Sequence, residues 1–174
     1  MTIEPDTKDW TWVLTRPCPE CGYDAARVTR ESLAPRIRSN AASWREVLGA
    51  APERVRNRPD VGVWSALEYA CHVRDVHRLF AQRLELMRQQ ERPVFDNWDQ
   101  NETAIAQRYG EQDPAVVVGE LPEAAEHVSA IYADVTGAGW QRCGERSDGA
   151  VFTVESLGRY HLHDVEHHLW DVRR

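Results

Sequence analysis

Apolar side chains recur at three- and four-residue spacing along four separate stretches of this chain, the signature of amphipathic helices. The first stretch runs from about Asp24 to Leu48 through Val28, Leu33, Ile37, Trp44, Val47 and Leu48, and stops at Gly49 with Pro52 just beyond. Pro35 falls inside it and is expected to kink the helix or to mark its true beginning. A second runs from Ser65 to Gln90 on Leu67, Val73, Val76, Leu79, Phe80, Leu84 and Leu86, with Ser65 and Glu68 spaced as a capping box. The third spans Pro114 to Thr136 and the fourth begins near Thr153 or Ser156. Four long amphipathic helices and almost no strand pattern predict an all-α four-helix bundle.

Between these stretches the pattern weakens. Residues 50–62 read as a loop rich in Pro and Arg, and WQRCGERSDGAVF reads as a small hairpin around Asp148 and Gly149. A long link of about 20 residues, PVFDNWDQNETAIAQRYGEQD, joins helices 2 and 3, with one helical turn in ETAIAQRY. Its NWDQNE stretch, with Asp99 and Glu102, is expected either to line a pocket mouth or to form an exposed loop. Residues 1–23 form a polar lead-in whose TWVL segment should pack on the body, and residues 24–174 form the bundle domain.

Composition narrows the picture. With 174 residues the chain is long enough for one sizeable core. A net charge of −7 and no basic stripe argue against a nucleic-acid or anionic-membrane partner. There is no apolar run of membrane-spanning length, and the first residues are too acidic and polar for a signal peptide, so a cytoplasmic location is expected. Lys8 is the single lysine among 21 basic residues, a bias that fits a GC-rich genome.

The chemistry concentrates in the last helix, RYHLHDVEHHLWDV, which carries four of the seven histidines together with Asp164 and Asp171. Neutral imidazole and carboxylate are the ligands that Zn, Ni, Fe or Mn accept. At about 100° per residue, Leu157, Leu162, Val165, Leu169 and Val172 define the buried side, with His161, Asp164 and His168 within or beside it. His163 and His167 fall on the opposite side, among Ser156, Arg159 and Glu166. Two pairs therefore compete at the same i, i+4 spacing: Asp164 with His168 on the inward side, and His163 with His167 if the helix is rotated.

A facing helix must complete either site, and His72, on the stripe of Val76 and Leu79, is the candidate. Asp75, one turn on, could orient a ligand or a substrate, or simply pair with Arg74 or Arg78. Cys71 is expected as a small core residue, and His77 and His127 as surface groups. Cys18 and Cys21, in RPCPECG, form half of a zinc ribbon or a redox dithiol, so a second metal or redox site is open there beside a purely structural turn.

The segment WSALEYACHVRDVH, followed some ninety residues later by HDVEHHLWDV, resembles the DinB-like superfamily of metal-binding four-helix bundles, which includes the mycothiol-dependent maleylpyruvate isomerases. The resemblance covers residues from about 25 to 174. His72 matches the ligand of the second helix. Aligning His168, Leu169, Trp170, Asp171 and Val172 with the family's last motif places Asp164 where most members carry histidine and the isomerase branch carries glutamate. Aspartate is a departure that keeps an oxygen ligand on a shorter arm.

The resemblance implies a divalent metal, Zn or Ni, held by His72, Asp164 and His168 with one position open, and a low-molecular-weight thiol such as mycothiol or bacillithiol as co-substrate. The expected activity is that of a thiol-dependent transferase or isomerase on a small molecule, with His161 as proton carrier or fourth ligand and Asp75 in support. The rival reading is a non-catalytic, stress-related bundle with a structural metal. Seven tryptophans leave aromatic surface for a homodimer.

Overall fold

The structure, a computed structural model, describes residues 9–174. The first eight residues of the lead-in, on which the expectation of no signal peptide rests, lie outside the described residues. The four expected long helices are present as α1 (Arg30–Leu48), α3 (Ala66–Gln89), α5 (Pro114–Ala133) and α6 (Val154–Asp171). Two short helices accompany them, α2 (Pro52–Arg56) in the Pro- and Arg-rich loop and α4 (Gln100–Ala106) in the long link.

Local chemistry sets the helix starts. Ser65 caps α3 by accepting from the Glu68 amide at 3.2 Å, while Glu68 accepts from the Ser65 amide at 2.8 Å, which is the expected capping box. Thr153 with Ser156 does the same for α6, and at α1 the Ser32 hydroxyl accepts from the Thr29 amide at 3.1 Å. Asp113 caps α5, and Pro114 occupies a first-turn position where its missing N–H costs nothing. Pro35 does not mark the start of α1, which begins five residues earlier. It sits in the second turn, where a proline removes a single ladder bond.

In the bundle α1 and α3 each pack against both α5 and α6, so the consecutive long helices α1 and α3 stand diagonally, as do α5 and α6. The core between them holds Leu33, Ile37, Trp44, Leu67, Val73, Leu84, Leu121, Val128, Tyr132, Leu157, Leu162 and Val165. Cys71 is a fully buried core residue, as expected, and His127 is exposed.

Three short strands form a sheet in the order β1-β2-β3. The hairpin of β2 (Cys143–Arg146) and β3 (Val151–Thr153) turns at Gly149, whose φ of +92° suits glycine. Strand β1 (Val94–Phe95) adds in parallel to β2, and its two residues are too few to show a periodicity in sequence. Strand β3 runs directly into the Thr153 cap of α6, so the sheet fixes where the histidine-bearing helix begins. The lead-in packs on α6 through the 3-10 turn Trp10–Leu14 and the segment after it through the turn Ala25–Arg27, and together they deliver Cys18, Tyr23, Ala25 and Val28 to the core.

Candidate metal centre

Helix α6 carries its two i, i+4 pairs on neighbouring faces, and the structure uses both. Side chains four apart lie one above the other, and a step of one residue turns the face by about 100°. Asp164 and His168 thus point toward α3, whereas His163 and His167 point toward the lead-in. The helical wheel assigned His163 and His167 to solvent, and this is corrected by their burial to 4% and 7% exposure. The lead-in covers the face that looked solvated.

The first cluster joins His72 of α3 to Asp164 and His168 of α6. Asp164 Oδ1 lies 3.4 Å from His72 Nε2 and 3.8 Å from His168 Nε2. In a tetrahedral site with bonds near 2.0–2.2 Å, ligand atoms stand about 3.3–3.6 Å apart, so the first separation suits two ligands of one ion and the second is slightly wider. His72 Nε2 and Asp164 Oδ1 are buried and have no hydrogen-bond partner among the described residues. Orphaned polar atoms of this kind are rare, and a cation would satisfy both.

Electrostatics favour the protonation states a metal needs. Burial pushes the His72 imidazole down, only partly offset by Asp164, so it is neutral at pH 7. Burial works against ionisation of Asp164, but His72, His168 and His163 outweigh it and hold the carboxyl well below the ordinary carboxylate range. Asp171 approaches His168 Nδ1 at 3.2 Å, which turns Nε2 toward Asp164, an outer carboxylate of the kind that orients metal-bound histidines. Trp98 stacks on His72 at 5.3 Å between ring centroids, and Trp64 and Tyr69 pack against His72 and His168.

Beyond Asp164 and His168 a cavity of about 660 Å³ opens, lined also by Trp64, Tyr69, Arg83, Arg146 and Tyr160. Asn97, Trp98, Asp99, Gln100 and Asn101 form part of its wall, so the NWDQNE stretch does line a pocket, although Glu102 is not among its lining residues.

The two residues expected to assist catalysis sit elsewhere. His161 is fully buried, but it faces His77 and not the cavity. His77 Nδ1 is 3.0 Å from His161 Nε2, the other ring nitrogen of His161 is 3.4 Å from the Tyr132 hydroxyl, and the ring stacks on Phe80. With both nitrogens engaged, His161 stands apart from the His72, Asp164, His168 cluster and from the cavity lining. His77 is buried and not a surface group: its Nδ1 meets His161 inside the core, while its Nε2 has no hydrogen-bond partner among the described residues. Asp75 is held by Arg74 at 2.9 and 3.1 Å, by Arg78 at 3.2 Å and by the Tyr109 hydroxyl, which donates at 2.7 Å. Its carboxylate therefore belongs to an arginine network, makes no hydrogen bond to His72, and acts on that ring only through its charge.

Cys18 and Cys21 meet His163 and His167 in a second cluster. Cys18 Sγ lies 3.7 Å from His167 Nδ1. Burial pushes the Cys21 thiol up to about 12, the reverse of the lowered pKa of a redox dithiol. The spacing in RPCPECG was legible, but its partners were not, since nothing local shows that the lead-in lies along α6.

Fold and site define a four-helix bundle with a histidine–aspartate–histidine cluster opening on a cavity. The family model of the DinB superfamily matches residues 36–172, and the chain belongs to that superfamily. Among solved structures, YfiT from Bacillus subtilis, described as a probable metal-dependent hydrolase with an unusual four-helix bundle topology, superposes with a TM-score of 0.74 over 83% of this chain and 86% of its own, at 18% identity. That likeness establishes the fold. No curated protein matches the chain. No helix among the described residues is long and apolar enough to cross a membrane.

Proposed function

We propose that this protein is a divalent-metal-dependent enzyme, with Zn or Ni held by His72, Asp164 and His168, that carries out nucleophilic transfer on a small anionic molecule. The supporting observation is that one ligand atom from each of the three residues lies within 4.8 Å of the others, beside a cavity. Three protein ligands facing an open volume suit a catalytic site, whereas a purely structural ion is enclosed by four.

A metal so held supplies Lewis acidity and lowers the pKa of a water or thiol at its open position. The chain's own residues set the rest. Asp171 fixes the ring of His168, Trp98 and Trp64 hold His72 in a dry aromatic wall, and Asp164 presents one oxygen to the cluster.

Arg83 points to the charge of the substrate. It lines the cavity at 5% exposure, donates to the Asp96 carbonyl at 3.0 Å, and leaves its buried Nε without a hydrogen-bond partner among the described residues. Burial and the nearby Arg146 push it down to about 10, so it is still a cation at neutral pH. A buried guanidinium with an unpaired N–H suits a carboxylate on the substrate.

The nucleophile is water, as the description of YfiT suggests for that protein, or a low-molecular-weight thiol of the mycothiol or bacillithiol type, which makes the reaction an S-transfer or an isomerisation. Chelated and Zn- or Ni-reloaded protein, assayed on activated carboxylate esters and on electrophilic unsaturated acids with and without added thiol, tests this. Turnover that needs metal and disappears in His168→Ala supports the reading, and its thiol dependence selects the nucleophile. Turnover indifferent to metal, or none in either assay, overturns it.

A further inference from the structure

We infer that Cys18, Cys21, His163 and His167 form a second, closed zinc site that clamps the N-terminal lead-in to α6. The inference does not rest on the enzymatic reading above, because none of these four residues belongs to the His72, Asp164, His168 cluster.

The turn around the cysteines has the shape the site requires. The Gly22 amide donates to the Cys18 carbonyl at 3.0 Å and the Cys18 amide donates to the Tyr23 carbonyl at 2.8 Å, which closes the CPECG loop. Gly22, at φ +75°, supplies the left-handed residue that reverses the chain after Cys21. One donor atom from each of the four side chains lies within 4.8 Å of all the others. Sulfur and nitrogen on a tetrahedral zinc stand about 3.6 Å apart, and Cys18 Sγ and His167 Nδ1 stand at 3.7 Å.

A second observation is independent of the cysteines. His163 Nε2 is buried and has no hydrogen-bond partner among the described residues, on a side chain that is 4% exposed. The ring packs between Trp10 and Tyr23, so its position is fixed. Around His167 the surroundings are acidic: Nε2 lies 3.8 Å from Glu20 and 3.8 Å from Asp171, beyond hydrogen-bond reach but close enough to favour a proton on Nε2 while Nδ1 faces the sulfur.

Two thiolates and two imidazoles in a tetrahedron select zinc, and four protein ligands leave no position for a substrate. Binding balances as loss of one proton from each thiol, two per zinc, with both histidines entering neutral. The consequence for the cavity is direct. Asp9, Trp10 and Glu20 of the lead-in line it, and His163 and His167 are each one residue from Asp164 and His168. Zinc in the closed site therefore holds one wall of the cavity and the rotation of the helix that carries the open site.

Cobalt(II) titration of the chelated full chain tests the inference, because thiolate ligands add near-ultraviolet charge-transfer bands that a histidine–aspartate site lacks. The expected result is two equivalents per chain, one with thiolate bands. Those bands vanish in Cys18→Ser/Cys21→Ser and persist in His168→Ala, which loses the other equivalent. Absent thiolate bands in the wild type, bands that survive the double substitution, or a Cys18–Cys21 disulfide in the purified chain would overturn it. If the double variant does not fold, thiol titration of the wild type decides. Zinc must protect two cysteines that chelation exposes, and equal reactivity with and without zinc refutes the site.

Discussion

Nε2 of His72 and Oδ1 of Asp164 face each other at 3.4 Å, both buried and neither hydrogen-bonded among the described residues. A metal-linked stability increment follows. Ligand present at a thousand times its Kd adds about 4 kcal/mol to a protein that binds only when folded. Thermal unfolding of Cys18→Ser/Cys21→Ser protein, which isolates the open site, should shift upward with added zinc. The shift should disappear when Asp164→Ala is added. An undiminished shift would place the ion elsewhere.

Asp171 should act on metal affinity without touching the metal. Its Oδ2 lies 3.2 Å from His168 Nδ1 and 3.8 Å from His167 Nε2, so it stands behind a ligand of each cluster. Asp171→Asn is expected to weaken metal binding by roughly 10–100-fold. Competition with a chromophoric chelator measures this, and unchanged affinity would remove Asp171 from both outer shells.

The His77–His161 pair predicts how the metal-free protein responds to acid. Burial pushes His161 down to about 3 and His77 well below its ordinary value. An unfolded histidine titrates near 6.5, so below that pH the unfolded chain takes up protons that the folded chain refuses. The stability from each group is whole above about pH 6.5 and falls by about 1.4 kcal/mol per unit as the pH drops toward the folded value. Denaturant unfolding of chelated protein between pH 6.5 and 4.5 should show this slope, and His77→Gln/His161→Gln should lessen it, leaving the part that His72, His163 and His167 contribute. An equal slope in the variant would mean that the pair is not buried neutral.

Arg83→Gln should weaken binding of a simple carboxylate probe such as maleate by about tenfold, the scale of one charge-assisted hydrogen bond. Calorimetric titration of metal-loaded protein reads it. Equal affinity in wild type and variant would show that Arg83 does not meet the ligand.

Gly158 offers a control remote from the metal chemistry. A Cβ there would lie 2.7 Å from Leu33 Cδ1 and 3.0 Å from Tyr132 Cε1, where α6 meets α1 and α5. Gly158→Ala should cost about 1–3 kcal/mol through overpacking, with metal content unchanged. A neutral effect on unfolding would mean that the interface yields more readily than its geometry suggests.

The helices were legible because their signals are local: the Ser65 and Glu68 cap, the Pro114 start and the apolar spacing all act within a few residues. Strand β1 was not, since two residues carry no period and its pairing with β2 spans about fifty positions. The inward pointing of His72, Asp164 and His168 followed from the wheel and the family resemblance together. What the wheel could not carry was the lead-in, which lies over His163 and His167 and turns an apparent choice between two pairs into two clusters. His77 was misread for a related reason, because its partner His161 comes from another helix. His161 in turn was drawn toward the metal by its inward face alone, although facing the core and facing the cavity are different directions in this bundle.

The central claim is that His72, Asp164 and His168 hold a metal, and elemental analysis of purified wild type beside His168→Ala tests it most directly. The account predicts one metal equivalent fewer per chain in the variant, with the cysteine-bound equivalent retained. Equal metal content in the two proteins would contradict it.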